Sequence, residues 1–185
     1  MATAIRLENV RLSFPDLFEA SEYEGKWAYR AAFLIEPGSK TDKDIEAAIK
    51  VVAKDKWNDK ADGILKRVPR TSKEFCYYSG DLKEYDGYAG NMALSTTRGQ
   101  DKGRPGIYDK DKSPLTAADG KPYPGCYVNA QVEFWAQDNK HGKTVRCTLI
   151  GVQFRRDGDA FTAGTAPDAD AFEDISEGAD ADDLV

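Results

Sequence analysis

Several features are scarce in this sequence, and each absence excludes a class of protein. Cysteine occurs three times, at Cys76, Cys126 and Cys147, with no CxxC pair, so neither a disulfide framework nor a zinc site is expected. No apolar run approaches the roughly 18 residues that would span a bilayer. The N-terminus has no basic segment followed by an apolar one, so no secretory signal is predicted. We therefore expect a soluble cytoplasmic protein that does not enter a membrane.

Signatures of enzymes are missing as well. The segment 142–144 resembles the end of a phosphate loop, but Gln137 stands where the leading glycine is required. The segment 109–120 begins like a calcium loop, but Gly120 replaces the glutamate that should bind the ion. His141 is the single histidine, and no Ser or Cys partner is suggested by its local spacing. The sequence predicts no catalytic residue, no metal site and no cofactor.

Basic residues are absent after Arg156, which divides the charge unevenly. The chain has 26 basic and 32 acidic side chains, a net charge of −6. Ten of the carboxylates follow Arg156, so residues 1–156 carry 26 basic and 22 acidic side chains, a net charge of +4. A basic body joined to a polyanionic end is the asymmetry expected of a protein whose body binds a polyanion.

The same boundary predicts the domain organisation. Residues 1–156 are expected to form one folded domain. Residues 157–185 contain few apolar groups, too few to offset the entropy of ordering, so they are predicted to be a disordered acidic C-terminal tail.

Hydrophobic patterning predicts mainly β-strands in the folded part. Alternation and short apolar runs predict strands over residues 5–14, 26–35, 74–79, 91–97, 127–135 and 145–154. Pro15 is expected to end the first strand, and the last two strands form a long hairpin. In the second strand, Trp27 and Phe33 are assigned to the core.

One helix is predicted, from Thr41 to about residue 60. Thr41 and Asp44 resemble a capping box, although Asp replaces the preferred Glu or Gln. Apolar residues then recur at helical spacing at Ile45, Ile49, Val52, Ala53 and Trp57. Residues 99–124 are rich in Gly and Pro and are predicted to be mostly loop. These elements favour a mainly β fold, an OB-like barrel of five or six strands with one α-helix and long loops; a mixed α+β sheet is the alternative.

Cations and aromatic residues are interleaved in the folded part, which is the composition needed to bind an unpaired nucleic-acid strand. Cations contact the phosphates, and each base stacked on an aromatic ring contributes roughly 1–3 kcal/mol. Trp135 is out of phase with Val132 and Phe134, so it lies on the polar face of its strand, where stacking explains an exposed tryptophan. A place in the core is the alternative for Tyr77, Tyr78, Tyr85, Tyr88 and Trp135. The predicted DNA-binding residues are Arg70, Lys73, Tyr77, Tyr78, Lys83, Tyr85, Tyr88, Arg98, Lys102, Arg104, Tyr108, Lys110, Lys112, Trp135, Lys143 and Arg146.

Four segments carry a resemblance to a known family. They are Arg11-Leu12-Ser13-Phe14-Pro15, Trp27-Ala28-Tyr29, the hairpin between Gly125 and Gln153, and Arg155-Arg156-Asp157-Gly158 before the acidic end. In these segments the chain resembles phage-encoded OB-fold single-stranded DNA-binding proteins, over residues 4–160. The resemblance implies an OB fold, binding to unpaired DNA in phage replication or recombination inside a bacterial host cell, and no catalysis.

The acidic end is similar in kind to the tails of such proteins, which dock on replication or recombination proteins and compete with DNA for their own groove. Those tails commonly finish on an aromatic residue, whereas this one finishes on Val185. The residues expected to contact a partner are Phe172, Asp174, Ile175, Asp182, Asp183, Leu184 and Val185. A solubility appendage is the alternative for the tail, and the sequence leaves a homodimer open.

The resulting hypothesis is a non-enzymatic protein that binds single-stranded DNA and whose tail limits and redirects the binding. One rival is an interaction adaptor or inhibitor whose acidic tail imitates DNA. A metal-dependent nuclease is the second rival, and the missing motifs weigh against it.

Overall fold

The computed structural model describes residues 2–162, 170 and 172–176, and in them seven strands and two helices. The elements, in chain order, are β1 (Thr3–Tyr23), β2 (Lys26–Ile35), α1 (Lys40–Trp57), α2 (Ala61–Arg67), β3 (Tyr77–Ser79), β4 (Met92–Gly99), β5 (Gly106–Tyr108), β6 (Tyr127–Asn139) and β7 (Gly142–Arg156). The loops between them contain four short 3-10 turns, Asn58–Lys60, Gly80–Leu82, Gln100–Lys102 and Ala117–Asp119.

Five of the strands close into a barrel. β1 pairs with β2 and β6, β2 pairs with β4, and β6 pairs with β7, all antiparallel. β4 and β7 complete the ring through a parallel pair at Thr97 and Thr148. The closed order β1-β2-β4-β7-β6 confirms the predicted OB-like barrel. The two remaining strands are short additions, since β3 pairs with β4 and β5 pairs with β7.

β1 is twice as long as predicted because it continues through Pro15. The strand changes register between Ser13 and Asp16, so Pro15 lies at a bulge, where its missing N–H costs no regular ladder bond. Phe14, within the same bulge, has a φ of 46°. The bulges allow β1 to bend, so its first half pairs with β6 and its second half with β2.

Helix α1 begins one residue before the predicted start, and its cap differs from the prediction. Ser39 is the N-cap, and its Oγ accepts a hydrogen bond from the backbone N–H of Asp42 at 3.2 Å, so the capping box assigned to Thr41 is wrong. The predicted apolar face is confirmed, because Ile45, Ile49, Val52, Ala53 and Trp57 are all buried. The short helix α2 follows it, which no pattern in the sequence indicated.

The main core fills the barrel and the space under the helices. In the hairpin, Val128, Ala130, Val132 and Phe134 point inward and are buried, as their alternation predicted. Helix α1 packs on β1 and β6 and closes this core. A second, smaller cluster lies on the outside of β2 and β4, where Leu34 and Ala93 are covered by Tyr78, Tyr88 and Phe161.

The packed part of the chain extends six residues past the predicted boundary at Arg156. Residues 157–162, here called the strap, run back over the barrel. Arg11 donates from Nη2 to the backbone oxygen of Asp159 at 2.7 Å, and the N–H of Phe161 donates to the oxygen of Pro124 at 2.9 Å. The side chain of Phe161 packs on the second cluster, and the Arg11 guanidinium lies 4.3 Å from its ring centroid. Residues 157–162 therefore belong to the packed part of the chain and not to a tail that begins at residue 157.

Most of the predicted tail lies outside the described residues, including Asp182, Asp183, Leu184 and Val185. Phe172 and Ile175 are described and strongly exposed, and Asp174 is exposed as well. Hydrogen bonds from Ser176 lower the pKa of Asp174. Among the described helices, none is both long enough and apolar enough to cross a membrane.

Candidate nucleic-acid interface

A row of polar and aromatic side chains crosses the outside of the barrel. Arg30 on β2 is paired with Thr97 on β4, and Thr97 is paired with Thr148 on β7. Trp135 on β6 donates from its indole N–H to Oγ1 of Thr148 at 3.1 Å. Side chains of directly paired residues share one face of a sheet, so these four side chains form one continuous strip. We call Arg30, Thr97, Thr148 and Trp135 the outer-face row.

Trp135 provides the aromatic surface at one end of the row. Its neighbours Val132 and Phe134 are fully buried, whereas Trp135 itself is 39% exposed, as the sequence predicted. Its cross-strand partner is Arg146, another predicted residue. Arg146 is oriented by two acceptors, Oε1 of Gln137 at 3.3 Å and the backbone oxygen of Lys73 at 3.2 Å. One cation, Arg146, therefore lies beside the exposed indole, and it contacts the backbone of Lys73.

Arg30 provides positive charge at the other end of the row. Its guanidinium donates to the backbone oxygens of Ser21, Ala28 and Lys26 and to the hydroxyl of Ser21. Within the described residues, no carboxylate lies within ion-pair distance of it. The side chain is thus held rigidly while its charge is not neutralised by a paired acid.

An exposed aromatic pair lies at the bulge of β1, next to Asp16, the residue paired with Arg30. Phe14 and Tyr85 are 48% and 49% exposed, and their ring centroids lie 4.7 Å apart in an edge-to-face arrangement. Tyr88 lies beneath them, buried, and donates its hydroxyl proton to Oγ of Ser13. The φ of Phe14 is positive, at 46°, which is uncommon for a bulky residue. Such backbone conformations are found at functional sites more often than elsewhere. We call Phe14 and Tyr85 the aromatic flank.

The β1–β2 hairpin adds two further exposed aromatic residues, Tyr23 and Trp27. They stand on either side of the two-residue turn Glu24-Gly25, where Tyr23 is paired with Lys26. The assignment of Trp27 to the core was wrong, since it is 52% exposed, whereas Phe33 is fully buried as predicted. The hairpin extends past the end of the barrel, so no interior is available there to cover the indole.

The β6–β7 hairpin borders a cavity of about 460 Å³, which we call the hairpin pocket. The hairpin turns through Lys140 and His141, and helix α2 with the residues after it forms the opposite wall. The lining residues are Ile64, Arg67, Val68, Pro69, Glu74, Gln137, His141, Gly142, Lys143, Thr144 and Arg146. Lys143 and Arg146 are predicted DNA-binding residues, and Arg146 belongs to both the pocket and the surroundings of Trp135.

Three predicted tyrosines are core residues and cannot stack on bases. Tyr77, Tyr78 and Tyr88 are 0%, 4% and 1% exposed. Their hydroxyls are paired with Asp42, Ser95 and Ser13, respectively. Burial raises the pKa of Tyr88 to about 12 and also raises that of Tyr77, where the hydrogen bond to Asp42 adds to the effect. The predictions for these three residues were wrong because the segment 77–91 folds onto β2 and β4.

Two predicted arginines are occupied by structural contacts. Arg98 donates to three backbone oxygens, those of Gly103, Lys102 and Leu149, and so holds the loop after β4. Arg70 contacts both carboxylate oxygens of Glu46 at 3.4 Å, donates to the oxygen of Tyr77 and lies over the ring of Phe75 at 4.1 Å. Arg70 is thus paired with an acid, and neither arginine belongs to the outer-face row.

The remaining predicted residues lie on loops around the barrel. Lys102 and Arg104 are exposed on the loop after β4, and Arg104 lies over the ring of Phe18. Tyr108, Lys110 and Lys112 lie on and after β5, alongside the second half of β7, and are exposed. Lys83 is half-buried on the loop that carries Tyr85. The structure does not bring these six residues into the outer-face row.

The sequence missed six residues of this surface: Phe14, Tyr23, Trp27, Arg30, Thr97 and Thr148. Tyr23 had a usable signal, because it precedes a two-residue turn containing Gly25. Thr97 and Thr148 had no such signal, since they become neighbours only when β4 and β7 pair to close the barrel.

In the described part of the chain, no cluster of three or more His, Cys, Asp or Glu side chains is placed to hold a metal ion.

Known phage proteins are similar to this chain in sequence. The chain matches a family model described as the ssDNA-binding protein of Enterobacter phage Enc34, over residues 3–185. It is 51% identical over 177 residues to the putative protein p50 of Acyrthosiphon pisum secondary endosymbiont phage 1, which covers 93% of this chain and 94% of that protein. The matched family is described by a binding function, which confirms the prediction of a non-enzymatic protein.

Solved structures of phage proteins share the fold. The single-stranded DNA-binding protein of bacteriophage Enc34, in complex with ssDNA, superposes with a TM-score of 0.71 at 22% identity, over 86% of this chain and 89% of that one. The single-stranded DNA-binding protein gp2.5 of bacteriophage T7 superposes with a TM-score of 0.59 at 12% identity, over 94% of this chain and 97% of that one.

Proposed function

Because the chain belongs to the family of phage single-stranded DNA-binding proteins described for phage Enc34, we propose that it binds single-stranded DNA during phage replication or recombination in the cytoplasm of a bacterial host. The outer-face row is the observation that carries this proposal. It crosses β2 and β4, the second and third strands of the barrel, and OB folds bind oligonucleotides on that face.

The strand is proposed to lie along the outer-face row between Trp135 and the aromatic flank. The floor between them is formed by small or short polar side chains such as Ala32, Ser95 and Thr97, so a nucleic-acid backbone can approach the sheet closely. Bases stack on the exposed rings at the two ends, while Arg30, Lys73 and Arg146 attract the phosphates. None of these contacts reads a base edge, so the binding is expected to show little sequence preference.

The two hairpins that flank the row are proposed to extend the interface. In an OB barrel, the loops between strands one and two and between strands four and five border the binding face. Here these are the β1–β2 turn, with Tyr23, Lys26 and Trp27, and the β6–β7 turn beside Lys143. Both turns expose the aromatic or cationic side chains that such contacts require.

The acidic tail is proposed to compete with DNA for this face and to dock on replication or recombination proteins. Competition between the tail and DNA is supported by the position of Thr162, the residue that precedes the tail. Thr162 is hydrogen-bonded to Asp86, which is next to Tyr85 of the aromatic flank. The 23 residues after Thr162 include eight carboxylates. At about 3.3 Å per residue, an extended segment of that length reaches roughly 75 Å, more than enough to cover the row.

Fluorescence anisotropy with a labelled oligothymidine tests the proposal. We expect saturable binding that weakens with salt, with a log–log slope near −0.7 for each phosphate neutralised. An unlabelled duplex of the same length should compete poorly, because its bases are not available for stacking. If neither the full chain nor a form ending at Thr162 binds oligonucleotides, the proposal is wrong and the adaptor hypothesis is favoured.

A pair of charge insertions tests the place of binding. Thr97→Glu puts a carboxylate in the middle of the outer-face row, where it repels phosphates, so the affinity for oligothymidine should fall strongly. Val51→Glu adds the same charge at an exposed position of helix α1, outside the row, and should leave the affinity nearly unchanged. Equal effects of the two substitutions would rule out the outer-face row as the binding surface.

A further inference from the structure

The hairpin pocket lies where the outer-face row ends, and the row itself does not use it. We infer that this pocket holds one nucleotide of the bound strand, with its phosphate against Arg67 and Lys143 and its base against Val68 and Pro69. The inference rests on the proposed function, which it deepens by assigning a discrete nucleotide site to a surface that otherwise contacts DNA by stacking and charge.

The charge of the pocket suits a phosphate. Three cations line it, Arg67, Lys143 and Arg146, against one carboxylate, Glu74. Arg67 donates from Nε to the backbone oxygen of Gly63 and, in the described part of the chain, has no ion pair, so its terminal nitrogens are available. The nearest acid to Lys143 is Asp138, at 3.9 Å between Nζ and Oδ2, and such exposed pairs are weak.

The shape and polarity of the pocket suit a base. Its volume of about 460 Å³ falls within the range of roughly 300–1,000 Å³ typical of small-ligand sites. Ile64 and Val68 provide an apolar wall, and Pro69 adds a flat exposed surface. Gln137 and Glu74 add an amide and a carboxylate to the lining, and these groups can form hydrogen bonds with the polar edge of a base.

The position of the pocket favours a nucleotide over an unrelated ligand. Arg146 lines the pocket and is also the cross-strand partner of Trp135. Its side chain is fixed by Gln137, which lines the pocket too, and by Lys73. A strand stacked on Trp135 therefore passes Arg146 and enters the pocket without leaving the protein surface.

Charge-removing substitutions provide the first test. In a salt titration of anisotropy, replacing both Arg67 and Lys143 with Gln should reduce the magnitude of the log–log slope by about 0.7, because the contact with the one phosphate in the pocket is lost. The control is Lys66→Gln, which removes one positive charge, half of that lost in the double variant, from the helix that carries Arg67. Lys66 does not line the pocket, so this substitution should leave the slope unchanged. The difference should vanish with oligonucleotides too short to extend from Trp135 into the pocket.

The single histidine of the chain provides the second test, because His141 lines the pocket. In proton NMR of the wild-type chain, its imidazole resonances should shift on addition of oligothymidine and saturate with the same Kd as the anisotropy signal. The doubly substituted variant should bind with no such shift. Far-UV circular dichroism of the variant checks that it is folded, and both changed side chains are exposed.

The outcomes separate this inference from the proposed function. If the chain binds oligonucleotides but the double substitution changes the slope no more than Lys66→Gln, or His141 does not respond, the nucleotide pocket is wrong and the outer-face row remains. If no oligonucleotide binds at all, the proposed function itself fails. A His141 shift produced by a synthetic peptide of residues 170–185, but not by oligothymidine, would also overturn the inference and identify an acidic peptide as the ligand.

Discussion

Replacing Trp135 with Ala is the most direct perturbation of the proposed DNA-binding face. The indole is 39% exposed and lies at one end of the outer-face row, so a single base can stack on it. A stacked base contributes roughly 1–3 kcal/mol, which corresponds to an affinity about 5- to 150-fold weaker when the ring is removed. The lost hydrogen bond to Thr148 should lower the free energy of unfolding by about 1 kcal/mol, which leaves the protein folded.

Two variants make this measurement specific. Trp135→Phe keeps an aromatic face but loses the N–H, so it should retain most of the affinity while showing the same loss of stability. Val51→Ala removes an exposed apolar side chain from helix α1 and should change neither quantity. The assay is anisotropy of a labelled oligothymidine at fixed salt, together with urea denaturation of each variant.

If Trp135→Ala binds the oligonucleotide as tightly as the wild-type chain does, no base stacks on this indole. A loss of affinity equal in Trp135→Ala and Trp135→Phe would instead assign the effect to the hydrogen bond with Thr148 and not to stacking.

Three other predictions concern the strap, the tail and the thiols. Phe161→Ala should lower the free energy of unfolding, measured by urea denaturation, by about 2 kcal/mol, since it removes packing on the second cluster and the contact with Arg11. The control is Phe172→Ala, which should change this free energy by no more than about 0.5 kcal/mol because Phe172 is strongly exposed. Deleting residues 163–185 should tighten oligothymidine binding most at low salt, and weaker binding in anisotropy would contradict the competition. Burial raises the pKa of Cys76 to about 12 and raises that of Cys147 too, so both are protonated at neutral pH and should react with a thiol reagent only after unfolding; rapid labelling of the native chain would show the packing to be wrong.

Regular elements could be predicted from the sequence because their periodicity is local. The alternation in the β6–β7 hairpin placed Val132 and Phe134 inside and Trp135 outside, and the short turn fixed the register that keeps them there. The apolar face of helix α1 followed from its spacing in the same way. The segregation of charge was also present in the sequence, since every basic residue precedes position 157.

Irregular segments could not be predicted, because burial there depends on residues that are distant in sequence. Tyr85 and Tyr88 lie three residues apart on one loop, yet Tyr88 is buried against Ser13 of β1 while Tyr85 is half exposed. Arg98 precedes a loop that contains glycines and other cations, which predicted DNA binding. In the structure, however, its guanidinium holds the loop after β4. No local pattern distinguishes such a structural arginine from one that contacts phosphate.

The sequence by itself determined the strand-rich class, the long helix, the outward face of Trp135 and the division between a basic body and an acidic end. The tertiary structure alone decided that Arg30, Thr97 and Thr148 lie side by side and that residues 157–162 pack on the barrel. The physical reason is closure: β4 and β7 are separated by more than 40 residues in sequence, and only the completed barrel brings their outward side chains onto one surface.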